Sequence, residues 1–209
     1  MQRMKSWSLL FALALVAATP ALPQNLVANS EFDDADGLDG WFNGTGSWQL
    51  GADSGTCAGS NAALGTSATA GGGDQFLSLY GQDCLTVDPV ATPSLYLGVT
   101  YRTTASVWAR LYLQFFSDAA CGSHIGYSAM VYGGTSASFN RIVDAVDIPA
   151  NAGSMRFWID FNPQAAGIPQ YTAEIDRIYL GDVAEVFDDG YEADGGSACR
   201  WSTGQGVAP

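Results

Sequence analysis

Residues 107–116 read VWARLYLQFF. In a strand, successive side chains point to opposite faces. Val107, Ala109, Leu111, Leu113 and Phe115 then form an apolar face suited to a core, and Trp108, Arg110, Tyr112, Gln114 and Phe116 form the other. The second set interleaves three aromatic rings with an arginine and a glutamine. Rings offer a large contact area at small entropic cost, and Arg and Gln supply directional hydrogen bonds. That is the chemistry needed to hold a sugar, whose C–H faces stack on rings and whose hydroxyls need donors and acceptors. Trp108 and Tyr112 would lie roughly 13 Å apart on an extended strand, enough for more than one sugar ring.

A second stretch repeats the pattern. In SMRFWIDFN (154–162), Met155, Phe157, Ile159 and Phe161 point inward, leaving Arg156, Trp158, Asp160 and Asn162 outward. In SLYLGVTYRT (94–103), Leu95, Leu97, Val99 and Tyr101 read as core, leaving Tyr96 and Arg102 outside. The candidate ligand contacts are Trp108, Arg110, Tyr112, Gln114, Trp158 and Asp160. The competing readings are cross-strand pairing for stability, cover by the 51–74 stretch or the C-terminal tail, and contact with a protein partner. Consecutive strands of a sandwich often change sheets, so the alternation alone does not put the two aromatic strands on one face.

Catalytic motifs are missing, although the acids are numerous enough for a carboxylate pair of the glycosidase kind, which keeps a glycan-active enzyme as a third reading. A hydrolase needs an acid/base pair or a nucleophile with its base, and the chain has no GxSxG elbow and no HExxH helix. Its single histidine, His124, sits in CGSHIG and reads as a loop tip. The acids cluster in turns such as 33–39 and 188–194, where Asp serves turn geometry. The chain reads as non-catalytic.

Charge narrows the partners further. The formal net charge is −13. Arg3 and Lys5 precede LLFALALVAA (9–18), a basic and then apolar pattern that reads as a secretory signal over 1–21. The apolar run is too short to span a bilayer. Removing it leaves six arginines, no lysine and all 21 acids. Such a surface repels phosphate backbones and anionic membranes, so no nucleic-acid partner is expected; with no second apolar run long enough to anchor it, no membrane span is expected after signal removal, and the protein reads as secreted. Cys57, Cys84, Cys121 and Cys199 contain no CxxC pair, and with one histidine they suit two disulfides better than a zinc site. Spacing leaves all three connectivities open.

The elements that must position these residues are short alternating strands between turn clusters. They cover 25–32, 41–50, 75–81, 84–87, 94–103, 107–116, 127–132, 139–148, 154–161 and 173–181. The Gly/Ser/Ala/Thr-rich stretch 51–74 reads as loop with one weak strand around 62–66. Helical periodicity is nearly absent. This is the pattern of an all-β fold, a two-sheet antiparallel β-sandwich of the jelly-roll kind. Residues 22–181 make that domain, and 182–209 form an acidic, Gly-rich C-terminal tail.

The order of landmarks resembles the carbohydrate-binding modules of the 4/9 type, galactose-binding-like jelly rolls. NLVANSEFDDADGLDGW (25–41) is similar to their opening strand, Asn-Leu-x-x-Asn-Gly-x-Phe-Glu followed by a turn and Gly-Trp, through Asn25, Leu26, Asn29, Phe32, Gly40 and Trp41. Ser30 stands for the Gly and Asp33 for the Glu. CLTVDPVATPSLYLGVTYRT, DAVDIPANAGSMRFWIDF and EIDRIYLG resemble later strands of the family, and VFDDGYEADGGSACRWS resembles a C-terminal sequence of exported bacterial proteins. The resemblance implies a non-catalytic glycan-binding domain whose partner is a polysaccharide. The alternative is an exported structural or protein-interaction sandwich. The resemblance also implies one structural Ca2+ between the first and last strands, held by Asp33 and Asp176, with Glu31 beside them; oxygen ligands at converging strand ends suit calcium. An EF-hand loop fails, because Phe32 would fall at its first ligand position. Related sequences pair a cysteine at the Cys84 position with one at the Cys121 position, which implies Cys84–Cys121 and leaves Cys57–Cys199. The neighbouring pairing, Cys57–Cys84 with Cys121–Cys199, stays open.

Overall fold

The computed structural model describes residues 25–30, 32, 36–52, 61–69 and 75–182. The expected leader, the tail beyond Asp182, and Glu31, Asp33, Cys57 and Cys199 lie outside the described residues. The described chain is all-β, in two antiparallel sheets. Sheet 1 contains β1 (Trp41–Thr45), β4 (Leu77–Gly81), β5 (Leu85–Thr86), β7 (Val107–Phe116), β8 (His124–Tyr127), β9 (Val131–Gly133) and β11 (Ser154–Pro163). Its order is β1-β4-β11-β7-β8, with β5 on β11 and β9 on β7. Sheet 2 has the order β10-β6-β12-β3-β2, from β2 (Ser47–Ala52), β3 (Asn61–Thr66), β6 (Ser94–Thr103), β10 (Asn140–Asp147) and β12 (Thr172–Gly181).

The inward sets predicted from alternation meet between the sheets. Leu111, Leu113 and Phe115 of β7 and Met155, Ile159 and Phe161 of β11 face Leu97, Val99 and Tyr101 of β6, all essentially fully buried. Buried hydroxyls find acceptors, as they must in an apolar interior. Tyr101 donates to the Gly134 carbonyl at 2.6 Å and Tyr171 to the Phe161 carbonyl at 2.9 Å.

Three stretches depart from expectation. The described residues of 25–32 do not make a ladder strand. Side chains of Asn25 and Asn29 pin the segment instead: Asn25 Nδ2 donates to Ile178 O on the last strand, and Asn29 Nδ2 to Gly37 O and Asp39 O. Asn29 and Phe32 adopt positive φ, 46° and 52°, which breaks the extended run. The 41–50 stretch is two strands in different sheets, divided at Gly46, whose φ of +83° suits glycine. A Cβ there would collide with Leu77. Finally, 127–132 is interrupted. Ser128 Oγ accepts from Leu113 N, and the chain re-pairs with β7 only at β9. His124 begins β8 rather than a loop tip.

The weak strand of 62–66 is β3, seated between β2 and β12. Consecutive strands β6 and β7 lie in opposite sheets, whereas the two aromatic strands β7 and β11 are neighbours in one. That settles which residues share a face.

Candidate functional site

Register builds a transverse row of rings on the outer face of sheet 1. Phe42 of β1 stands opposite Tyr80 of β4, Tyr80 opposite Trp158 of β11, and Trp158 opposite Tyr112 of β7. The successive centroid separations are 5.0, 4.4 and 6.0 Å, with interplanar angles of 29°, 12° and 16°. Rings 4.4 Å apart and nearly parallel must lie face against face, so Tyr80 and Trp158 stand upright on the sheet. Tyr127 of β8 closes the row edge-on against Tyr112 at 5.5 Å and 80°. Each such contact adds about 0.5–1.5 kcal/mol beyond the area it buries.

Beside the rings runs a polar row. Asp160 is only 3% exposed, yet its carboxylate is fully partnered. Arg110 grips it in a fork, Nε to Oδ1 at 2.5 Å and Nη2 to Oδ2 at 2.8 Å. Asn162 Nδ2 donates to Oδ1 at 2.6 Å and Tyr112 Oη to Oδ2 at 3.3 Å. The hydrogen bond to Asp160 raises the Arg110 pKa further still. Burial, reinforced by the Asp160 charge, pushes the Tyr112 hydroxyl well above its ordinary range, so it serves as a donor at any physiological pH.

The rings with free faces lie around this stack. Trp108 is 48% exposed and opposite Asn162; Tyr132 is exposed and opposite Arg110. Phe42 and Tyr127 are the exposed ends of the aromatic row. All six predicted contacts, Trp108, Arg110, Tyr112, Gln114, Trp158 and Asp160, therefore come together on one outer face. They divide by environment: Trp108 is open, Tyr112 and Trp158 are stacked, and Asp160 is locked. Tyr96 and Arg102 lie on sheet 2, where Arg102 pairs with Glu174 at 2.6 Å.

Phe42, Tyr80, Tyr127 and Tyr132 escaped the sequence reading. Three of them were legible by the same alternation: Phe42 follows buried Trp41, Tyr80 follows buried Leu79, and Tyr132 follows buried Val131.

Of the expected calcium ligands, Asp176 is described. It is 1% exposed at the bulge of β12 between Ile175 and Arg177. The N-terminal segment runs alongside, with Leu26 N donating to Leu180 O and Ile178 N to Ser30 O. Among the described residues no three His, Cys, Asp or Glu side chains are grouped to hold a metal. Cys84 and Cys121 are disulfide-bonded, with Cα atoms 5.8 Å apart.

No protein-family model matches the chain, and no curated protein matches it in sequence. Solved structures match it in shape. The family 16 carbohydrate binding module-2 aligns with a TM-score of 0.50 and 15% identity over 75% of this chain and 99% of that one. The N-terminal cellulose-binding domain of Cellulomonas fimi β-1,4-glucanase C aligns at 0.50 and 13% over 77% and 98%. An arabinose-bound GH51 α-L-arabinofuranosidase aligns at 0.56 and 16% over 76% of this chain, which spans only 26% of the enzyme. It likewise spans 21% of the enzymatically active domain of bacteriophage CBA120 tailspike protein 4, at 0.55 and 18%. The chain thus has the β-sandwich fold found in these carbohydrate-binding modules.

Proposed function

We propose that the outer face of sheet 1 binds a polysaccharide without cleaving it, with Trp108 as its principal stacking platform. The observation that carries this is the pairing of open rings with a pre-set polar group. Trp108 and Tyr132 flank Arg110, which has five N–H donors and spends two on Asp160. The remaining donors sit on a guanidinium already fixed by its fork. Groups held this way lose little freedom on binding. The shared fold of the carbohydrate-binding modules supports the reading, and the basic and then apolar pattern of 1–21 and the disulfide support an exported protein.

Chemistry on the face favours binding over hydrolysis. A glycosidase places two carboxylates about 5–9.5 Å apart. Among the described residues of the sheet 1 strands, Asp160 is the lone carboxylate, and four donors occupy it.

Affinity electrophoresis through gels containing different polysaccharides tests the proposal. Trp108→Ala is expected to weaken retention roughly 30-fold or more. Because the ring is half exposed, its removal should move stability by no more than about 0.5 kcal/mol. Retention unchanged in the variant would refute the platform.

Calcium belongs to the same proposal. A buried carboxylate at Asp176, where the N-terminal segment meets the last strand, fits one ligand of a hard cation, and Asp33 and Glu31 are the acids proposed to complete it. Chelator is expected to lower Tm by several degrees through mass action, and Asp176→Asn to remove that dependence. An identical Tm with calcium and with chelator would dispose of the site.

A further inference from the structure

Charge is distributed unevenly over the molecule. The chain carries −13 overall, yet the charged groups of the sheet 1 strands are Arg110, Arg156 and Asp160. Asp160 neutralises Arg110, leaving Arg156 as the uncompensated charge among the strand residues of sheet 1. No carboxylate among the described residues lies within ion-pair distance of Arg156, whereas Arg102 and Arg110 are both paired. Of the acids in the bordering turns, Asp118 is engaged by the N–H groups of Ala120 and Gly122.

The same strand holds two donors without acceptors. Arg156 Nε and Trp158 Nε1 are both buried and have no hydrogen-bond partner among the described residues. They stand two positions apart on β11 and point to the same face. Native proteins seldom leave such groups unmet. The Arg156 guanidinium is held over the Phe116 ring, 5.7 Å from its centroid, and its terminal nitrogens reach solvent. Gln114 of β7 lies opposite it, and one strand further, on β8, Tyr127 and His124 stand opposite Gln114 and Phe116.

We infer that the polysaccharide is an acidic one, and that Arg156 receives a carboxylate or sulfate carried by one of its sugars. This rests on the outer face being the glycan-binding surface. Oxyanions are the ligands that a planar guanidinium matches best, in charge and in paired lone-pair geometry. By register, Arg156 lies roughly 20 Å along the strands from Trp108. One end of the face then stacks sugar and the other anchors charge, so the ligand is an extended chain.

Gels containing polygalacturonate, a sulfated galactan or a neutral galactan separate the possibilities. The wild-type chain is compared with Arg156→Gln, Arg156→Lys, Trp108→Ala and Arg102→Gln at low and at 0.5 M salt, each variant first checked by thermal unfolding. The wild type is expected to bind one acidic polymer at least tenfold more tightly than the neutral one, with the advantage shrinking at high salt. Which acidic polymer is retained identifies carboxylate or sulfate. Arg156→Gln should bring the acidic-to-neutral ratio to about one, Arg156→Lys should keep part of it, and Arg102→Gln on the opposite sheet should leave it as it was. Equal wild-type retention of acidic and neutral polymers, or a preference that survives Arg156→Gln, overturns the inference and leaves glycan binding standing. Absence of wild-type retention on every polymer overturns both. If Arg156→Gln does not fold, the salt dependence of the wild-type ratio decides.

Discussion

Arg110→Ala is expected to cost about 4 kcal/mol of stability and Asp160→Ala about 3 kcal/mol, the two falling unequally because they strand different charges. The side chain of Asp160 is 4% exposed and that of Arg110 is 30% exposed. Removing the arginine leaves a carboxylate in the interior with Tyr112 and Asn162 as its remaining donors. Removing the aspartate leaves a guanidinium that water can reach. The double variant loses both charges together and is expected to cost less than the sum by about 2 kcal/mol, the signature of a coupled pair. Urea unfolding of the four proteins closes the cycle. Additive costs would mean that the fork is not coupled and does not fix Arg110 on the binding face.

Replacing both Cys84 and Cys121 by serine should have an effect of similar size. The bond joins residues 37 apart, and cross-linking a loop of that length restricts the unfolded chain by about 4 kcal/mol. For a domain of this size that is roughly 8–16 °C in Tm. In the fold the bridge ties the turn after β7 to the short strand β5, which pairs with β11 at only Ser154 and Met155. The turn has local support too: Ser154 Oγ donates to Asp118 O at 2.5 Å, and Ser117 N to Ser123 O at 2.9 Å. Since that turn leads into β8, the variant should also loosen Tyr127 at the end of the aromatic row. A Tm change below about 2 °C would show that the local bonds hold the turn without the bridge.

Alternation carries most of this architecture. The strands at 94–103 and 107–116 coincide with β6 and β7, and the inward sets of β6, β7 and β11 are all buried. Period two reports which side of a sheet a residue faces, and that carries over from sequence unaltered. It does not report ring orientation. Alternation offers Trp158 and Tyr112 as outward ligand contacts, whereas the rings stack on one another, one face of Trp158 against Tyr80. Nor does it report partners. β7 and β11 are separated by almost forty residues, and their register is fixed by the core they share. The interruption at Ser128 escaped for a related reason: a hydroxyl that substitutes for a ladder bond looks like an ordinary polar position in the string. The Asn25 and Asn29 motif, by contrast, works as backbone pinning, so the resemblance it carries concerns the fold.

The central claim is that glycan lands on the outer face of sheet 1, and the indole N–H resonances test it most directly. In a titration with oligosaccharides cut from the polymer best retained in the gels, the Trp108 signal is expected to shift progressively with ligand. Trp41 and Trp48, buried in the core with their indole N–H groups bonded to Asn29 O and Thr45 O, should stay in place. Shifts confined to sheet 2, or a Trp108 signal that does not move at saturating ligand, would contradict the account.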